Sequence, residues 1–300
     1  MNEIPCQGPI FQAMMREIDA KLKMDGIDIA DRPLFAIREV SLRYEVPIPM
    51  GGEPDRLPPD LRPYAALGDA IHDWFDDTYG DRLKVDLCPG RIVVDVDGDL
   101  YALRIPRLFG SANFILTREF LPEPGISGGP VTCNVVQLLD NITPGKAAGL
   151  SDAALAAVAV AFEIGLPAAY TLESTDHEFI SIARGDIAAA VAALMGTSER
   201  YGASKWASLQ AAEKVLKAAI LLKGAQFAFT HVLDKLCRQL SDLGLPLSVE
   251  PLIAVIQCDP KIRYGEEPCT RDEAVAAHQA SLELVNHLRE AGAGFELGLG

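Results

Sequence analysis

Ser204–Gly224 reads SKWASLQAAEKVLKAAILLKG, the longest stretch of the chain that keeps a helical pattern without a breaker. At about 100° per residue, Trp206, Leu209, Leu216 and Ile220 share one arc of the helix surface. Val215, Ala219 and Leu222 cover most of the opposite side, so this helix is expected to be buried nearly all round. Glu213 falls inside the apolar arc, and Gln210 and Lys217 lie just beside it. A charge on a buried face needs a partner, and Lys217 sits one turn on in the favourable Glu-before-Lys order. The spacing predicts a structural ion pair between packed helices, or else a polar strip in a groove or at a subunit contact.

Working outward, helices are expected at 186–195 and 232–243 on either side of this stretch. A last long helix opens on Thr270-Arg271-Asp272-Glu273, a capping box with Thr at the N-cap and Glu at the third helical position. It runs to about Arg289, with Ala274, Ala277, Leu284, Val285 and Leu288 inward. Upstream, Ser151 is a plausible N-cap for an alanine-rich helix over 152–164. The apolar run 153–172 is long enough to raise a membrane span, but Glu163, Gly165 and Pro167 interrupt it, so it reads as buried helix.

The first half of the chain has another texture. Helical spacing marks 11–24 and 64–79, while Val40, Leu42, Tyr44 and Val46 alternate with polar residues as a half-buried strand would. Strands are also expected at 84–87, 91–96, 100–105 and 112–120, with Asp97-Gly98 as a two-residue hairpin turn. Residues 131–139 fit either a strand or a short helix. The expected fold class is α+β: an antiparallel-sheet domain with helices over 1–150, a connecting helix over 151–180, and an all-α domain over 181–300.

The totals exclude several classes. With 49% hydrophobic and 23% charged residues over 300 positions, the chain is neither disordered nor short of a core. A formal charge of −15 argues against general attraction to nucleic acid or to anionic lipid, and no membrane partner is expected. That charge is uneven: residues 186–290 hold 11 Lys/Arg against 13 Asp/Glu, leaving the helical part nearly neutral. The six cysteines form no CxxC and no zinc spacing, and the N-terminus shows no signal-peptide pattern. These features predict a reduced, cytoplasmic protein with no metal and no cofactor.

Trp206, Gln210, Glu213, Lys214, Lys217, Ala218, Gly224, Thr230 and His231, in that order and spacing, resemble the second helix and following turn of HEPN domains. The flanking helices, Ile262-Arg263-Tyr264 and the last helix follow the same family order, over about residues 180–290. The resemblance implies an all-helical bundle and a homodimer formed through it. It implies one of two roles, in systems often of defence or toxin–antitoxin type. One is a non-catalytic module that binds a nucleotide, a nucleic acid or a partner protein. The other is a metal-independent ribonuclease with an Arg/His pair at a dimer cleft.

In this sequence the catalytic pair would be Arg271 and His278, with six residues between them. An Arg to hold phosphoryl oxygens and a His to move protons near neutral pH is a sensible set for RNA cleavage. Yet His278 lies two turns inside an alanine-rich helix, deeper than the motif places it. Arg263-Tyr264 instead resembles the Arg-Tyr of members without a nuclease motif. Gln210, Glu213, Lys217, Arg263 and Tyr264 are therefore the candidate ligand-binding residues, and the non-catalytic role is the one expected. Elsewhere, Gly125-Ile126-Ser127-Gly128-Gly129 fits G-x-S-x-G without the strand and helix a nucleophile elbow needs. Asp95-x-Asp97-Gly98-Asp99 opens like a calcium loop, but Pro106 stands where the bidentate Glu belongs. Asp73, Asp76, Asp77 and Asp86 read as a solvated face.

Overall fold

Residues 4–49, 55, 57–84, 87–108, 110–122, 130–198, 200–245 and 247–298 are described by a computed structural model. The chain separates into two compact units, Met1–Asp86 and Leu87–Gly300. Helices dominate, with a small antiparallel sheet ahead of a helical C-terminal region, so the fold class is α+β.

Among the described residues the first unit is built on three α-helices, α1 (Gly8–Met24), α2 (Arg32–Tyr44) and α3 (Ala65–Tyr79). Phe11, Met15, Ile18, Ile37, Val40, Ile71 and Phe75 meet in its core. A buried polar tie joins the three helices. Arg32 donates to Asp19 (3.2 Å) and to the Tyr79 hydroxyl (3.0 Å), and that hydroxyl donates to Asp19 (2.7 Å). Burial, together with the Asp19 carboxylate, pushes the Tyr79 phenol up. The strand expected at Val40–Val46 is corrected here: residues up to Tyr44 belong to α2. Ala36, Ile37 and Val40 face the core at helical spacing, whereas Leu42 is 66% exposed. The short alternation was compatible with both periods, and Pro33 at the helix start with Glu45 in the left-handed cap (φ 54°) favours the helix.

In the second unit, β1 (Gly90–Val96) and β2 (Asp99–Ile105) form an antiparallel hairpin with Val93 opposite Ala102 and Val96 opposite Asp99. Asp97 (φ 52°) and Gly98 (φ 89°) both take the left-handed conformation that a tight hairpin turn demands. β3 (Ala112–Ile115) pairs in parallel with β4 (Val131–Asn134). The expected strand over 112–120 therefore ends at Ile115. Beyond it the Asn134 side chain substitutes for a ladder, accepting from Thr117 N (3.2 Å) and donating to Thr117 O and Glu119 O (both 2.9 Å). The ambiguous segment 131–139 is both things in turn: a strand to Asn134, then a 3-10 helix over Val135–Leu138. The Ser127 motif lies outside the described residues, in 123–129.

After a short α4 (Pro144–Ala148) comes α5 (Asp152–Ser174), capped by Ser151 as expected, with Pro167 inside it. By length and composition α5 could cross a membrane. It lies instead against the hairpin and α10 (Arg271–Glu290), and Gly165 explains how closely: a Cβ there would meet Ile92 at 2.9 Å and Ile105 at 3.0 Å. The remaining helices are α6 (Glu178–Met195), α7 (Tyr201–Leu222), α8 (Leu233–Asp242) and α9 (Glu250–Ile256). The capping box at Thr270 and Glu273 is present.

α7 is the axis of this unit, packed against α6 on one side and α10 on another. Leu209, Val215, Leu216 and Ile220 are fully buried. Each such side chain contributes on the order of 1.5–3 kcal/mol by leaving water. Burial relents over the first two turns, where Trp206 is half-buried, along the polar strip at Gln210 and Lys214, and at the end, where Leu222 is exposed. The hairpin is part of the same packing, because Val93 and Ala102 meet Val191, Leu194, Ala274 and Val275 in a shared apolar cluster.

Candidate functional site

Glu213 is the hub of the polar strip on α7. Its side chain is buried, and both oxygens are engaged: Lys217 Nζ donates to Oε1 at 2.6 Å, and His231 Nδ1 lies 2.6 Å from Oε2. Lys214 approaches at 3.8 Å, and Gln210 at 3.5 Å from the preceding turn. Burial works to raise the Glu213 carboxyl, but the hydrogen bonds from Lys217 and His231 outweigh it and hold the group below its ordinary range. Glu213 is thus an anion at neutral pH, with its lone pairs occupied. The Lys217 ammonium also sits 4.9 Å over the Phe227 ring. The expected ion pair is present. Its third member, His231, comes from the loop after α7 and carries a largely exposed ring.

One turn earlier the same helix borders a groove of about 450 Å3 between α6, α7 and the 3-10 helix Pro260–Tyr264. Asp186, Arg200, Trp206, Gln210 and Arg263 line it. Its walls are alanines at helical spacing, Ala189 and Ala193 on α6 and Ala203 and Ala207 on α7, which leave room where larger residues would close the gap. Gly202 sets the third wall. A Cβ at this position would fall 2.1 Å from Ile262 O, so only glycine lets the 3-10 helix seat on α7 and bring Arg263 to the rim. Asp259 caps that 3-10 helix by accepting from Lys261 N at 2.9 Å. Tyr264 is exposed, with the Arg263 guanidinium 5.7 Å over its ring. Burial raises the Asp186 carboxyl, with Glu213 adding to the rise and Lys214 opposing it.

Of the expected ligand-binding residues, Gln210 and Arg263 line the groove. Glu213 and Lys217 form the buried network one turn on, and Tyr264 stands outside against Arg263. Asp186, Arg200 and the groove-facing role of Trp206 were not singled out in the sequence. The signal available was the pair of alanine spacings on two helices, which only their mutual packing turns into a groove.

Arg271 and His278 lie apart in environment. Arg271 is fastened to the hairpin, with Nη2 2.7 Å from Asp95 Oδ2 and Nη1 donating to Gly98 O at 2.7 Å. His278 is fully buried, neither ring nitrogen has a partner among the described residues, and burial pushes its pKa down to about 4. Within one chain the pair does not present a cation and a proton-transfer group to a common phosphate. The acidic hairpin tip is likewise occupied: Asp95 holds Arg271, and Asp97 accepts from Ser151 N at 3.1 Å. Among the described residues no cluster of His, Cys, Asp and Glu could hold a metal ion.

Residues 177–290 match the family model of the HEPN domain, while no curated protein and no solved structure matches the chain.

Proposed function

From the premise that residues 177–290 are a HEPN domain, we propose that this domain is a non-catalytic nucleotide-binding module. The observation that carries the reading is the groove beside α7. It offers two guanidiniums, Arg200 and Arg263, for phosphate oxygens, the Trp206 indole for a base face, and the Gln210 amide for a base edge. Its volume of about 450 Å3 suits a mononucleotide better than a folded partner. The overall charge of −15 argues for a small ligand held locally over a long polyanion held by the whole surface.

The catalytic alternative draws on Arg271 and His278, and the burial of His278 with the engagement of Arg271 supports the non-catalytic reading. Incubation with mixed RNA in EDTA, beside a His278→Ala sample, is expected to give no cleavage; cleavage lost in the variant would reinstate the ribonuclease. Binding is tested by calorimetric titration with AMP and ATP, against adenosine and inorganic phosphate. The nucleotides are expected to bind and the two halves to bind weakly. Arg263→Ala is expected to cost about tenfold or more. Nucleotide affinity indifferent to Arg263 and Trp206 would end the proposal. A homodimer through the helical domain and a cytoplasmic setting belong to the same reading. A monomer by light scattering at micromolar concentration would remove the dimer.

A further inference from the structure

A second cavity, of about 510 Å3, opens among the start of β1, α5, α6 and α10. Its floor is apolar, with Ala169, Leu172 and Val191 among the lining residues. Its charged members are Arg91 and Arg184, and no carboxylate lines it among the described residues. The two differ in engagement: Arg91 Nε donates to Asp140 Oδ2 at 3.2 Å, which leaves the Arg184 guanidinium as the one available to an occupant. Arg184 is exposed at the mouth of the cavity and has no hydrogen-bond or ion-pair partner among the described residues, so water alone meets its charge and an anion can replace that water.

Gly185 adds an independent observation. It stands in the interior of α6, where glycine is the poorest residue short of proline. Its backbone is ordinary helix, and a Cβ there would meet nothing within 4 Å. Packing does not require glycine, as it does at Gly165 or Gly202. What the missing side chain provides is space at the wall of the cavity.

We propose that this cavity binds a small organic carboxylate with an apolar body, the carboxylate on Arg184 and the hydrocarbon on the α5–α6 floor. The size lies in the usual range for a small-molecule site, and the division into a cationic end and an apolar floor selects an amphipathic monoanion over a bare phosphate. The site is separate from the groove at Trp206, and this proposal stands whether or not that groove takes a nucleotide.

The test is calorimetric titration of the full chain with octanoate below its micelle concentration, with octanol, octylamine and inorganic phosphate as controls. Octanoate is expected to bind, octanol to bind about tenfold or more weakly, and the amine and phosphate to give no heat of binding. Arg184→Gln, a surface change that the fold tolerates, is expected to reduce octanoate affinity by about tenfold or more. Gly185→Phe is expected to abolish binding while leaving the melting midpoint unchanged or raised. Absence of octanoate binding to the unmodified chain would overturn the proposal. So would octanol binding as well as octanoate, or octanoate binding that survives Gly185→Phe.

Discussion

Glu213 and His278 show how differently two buried titratable groups behave. Glu213 has donors on both oxygens, so its charge is an asset only while they remain. Replacing it with glutamine strands the buried Lys217 ammonium. Glu213→Gln is expected to cost about 3 kcal/mol in urea denaturation, and Glu213→Gln with Lys217→Met to recover most of that loss. His278 has no partner, and burial holds its pKa at about 4 against an ordinary 6.5. The unfolded chain takes up that proton first as pH falls. Its contribution to stability is therefore complete above pH ~6.5, declines between ~6.5 and ~4, and is gone below; the total is on the order of 3 kcal/mol. Denaturation midpoints in His278→Leu should fall less steeply across that window than in the parent. A parallel fall would place the acid sensitivity elsewhere. The Glu213–Lys217 pair was legible in the sequence because its members are four residues apart on one helix. His231 was not paired with Glu213, since 18 residues and a loop separate them. Nor does a helical wheel say how deep His278 sits, because that depends on what covers the helix.

At the scale of elements, long periodic helices were the legible part. The positions of α1, α3, α7 and α10 follow from apolar spacing and caps alone. The failures occurred where a stretch was too short for one period to exclude the other, as at Val40–Val46, or where a side chain replaced a strand, as at Asn134. The groove belongs to no element: it exists because alanines of α6 and α7 leave a gap and Gly202 admits the 3-10 helix. Gly202→Ala is accordingly expected to move Arg263 off the rim. Nucleotide affinity should fall by at least about tenfold, with a stability loss of about 1–3 kcal/mol from the forced shift. An alanine variant that binds normally would show that the seating of the 3-10 helix is not what positions Arg263.

For the whole molecule, the family match and the packing divide the chain at different places. The match begins at residue 177, whereas the compact unit begins at Leu87. The difference has a physical source: the hairpin and α5 fill faces of α6 and α10 that the matched region leaves bare. A chain of residues 87–300 is expected to unfold cooperatively in urea. One of residues 177–290 should expose Val191, Leu194 and Val275 and aggregate or unfold broadly. Equal cooperativity in the two would mean that the hairpin is an ornament. Nothing in local periodicity announces this dependence, since the apolar residues of β1 and β2 suit many neighbours equally well.

The tryptophans give this division a practical use. The chain has two, Trp74 in the core of the first unit, its indole N–H on Gln12, and Trp206 beside the groove of the second. Each half therefore contains its own native fluorophore, one shielded and one partly wet. Excitation at the indole band, with Trp74→Phe and Trp206→Phe samples to separate the two emissions, would track the halves independently, and quenching by an occupant of the groove would register in Trp206 alone.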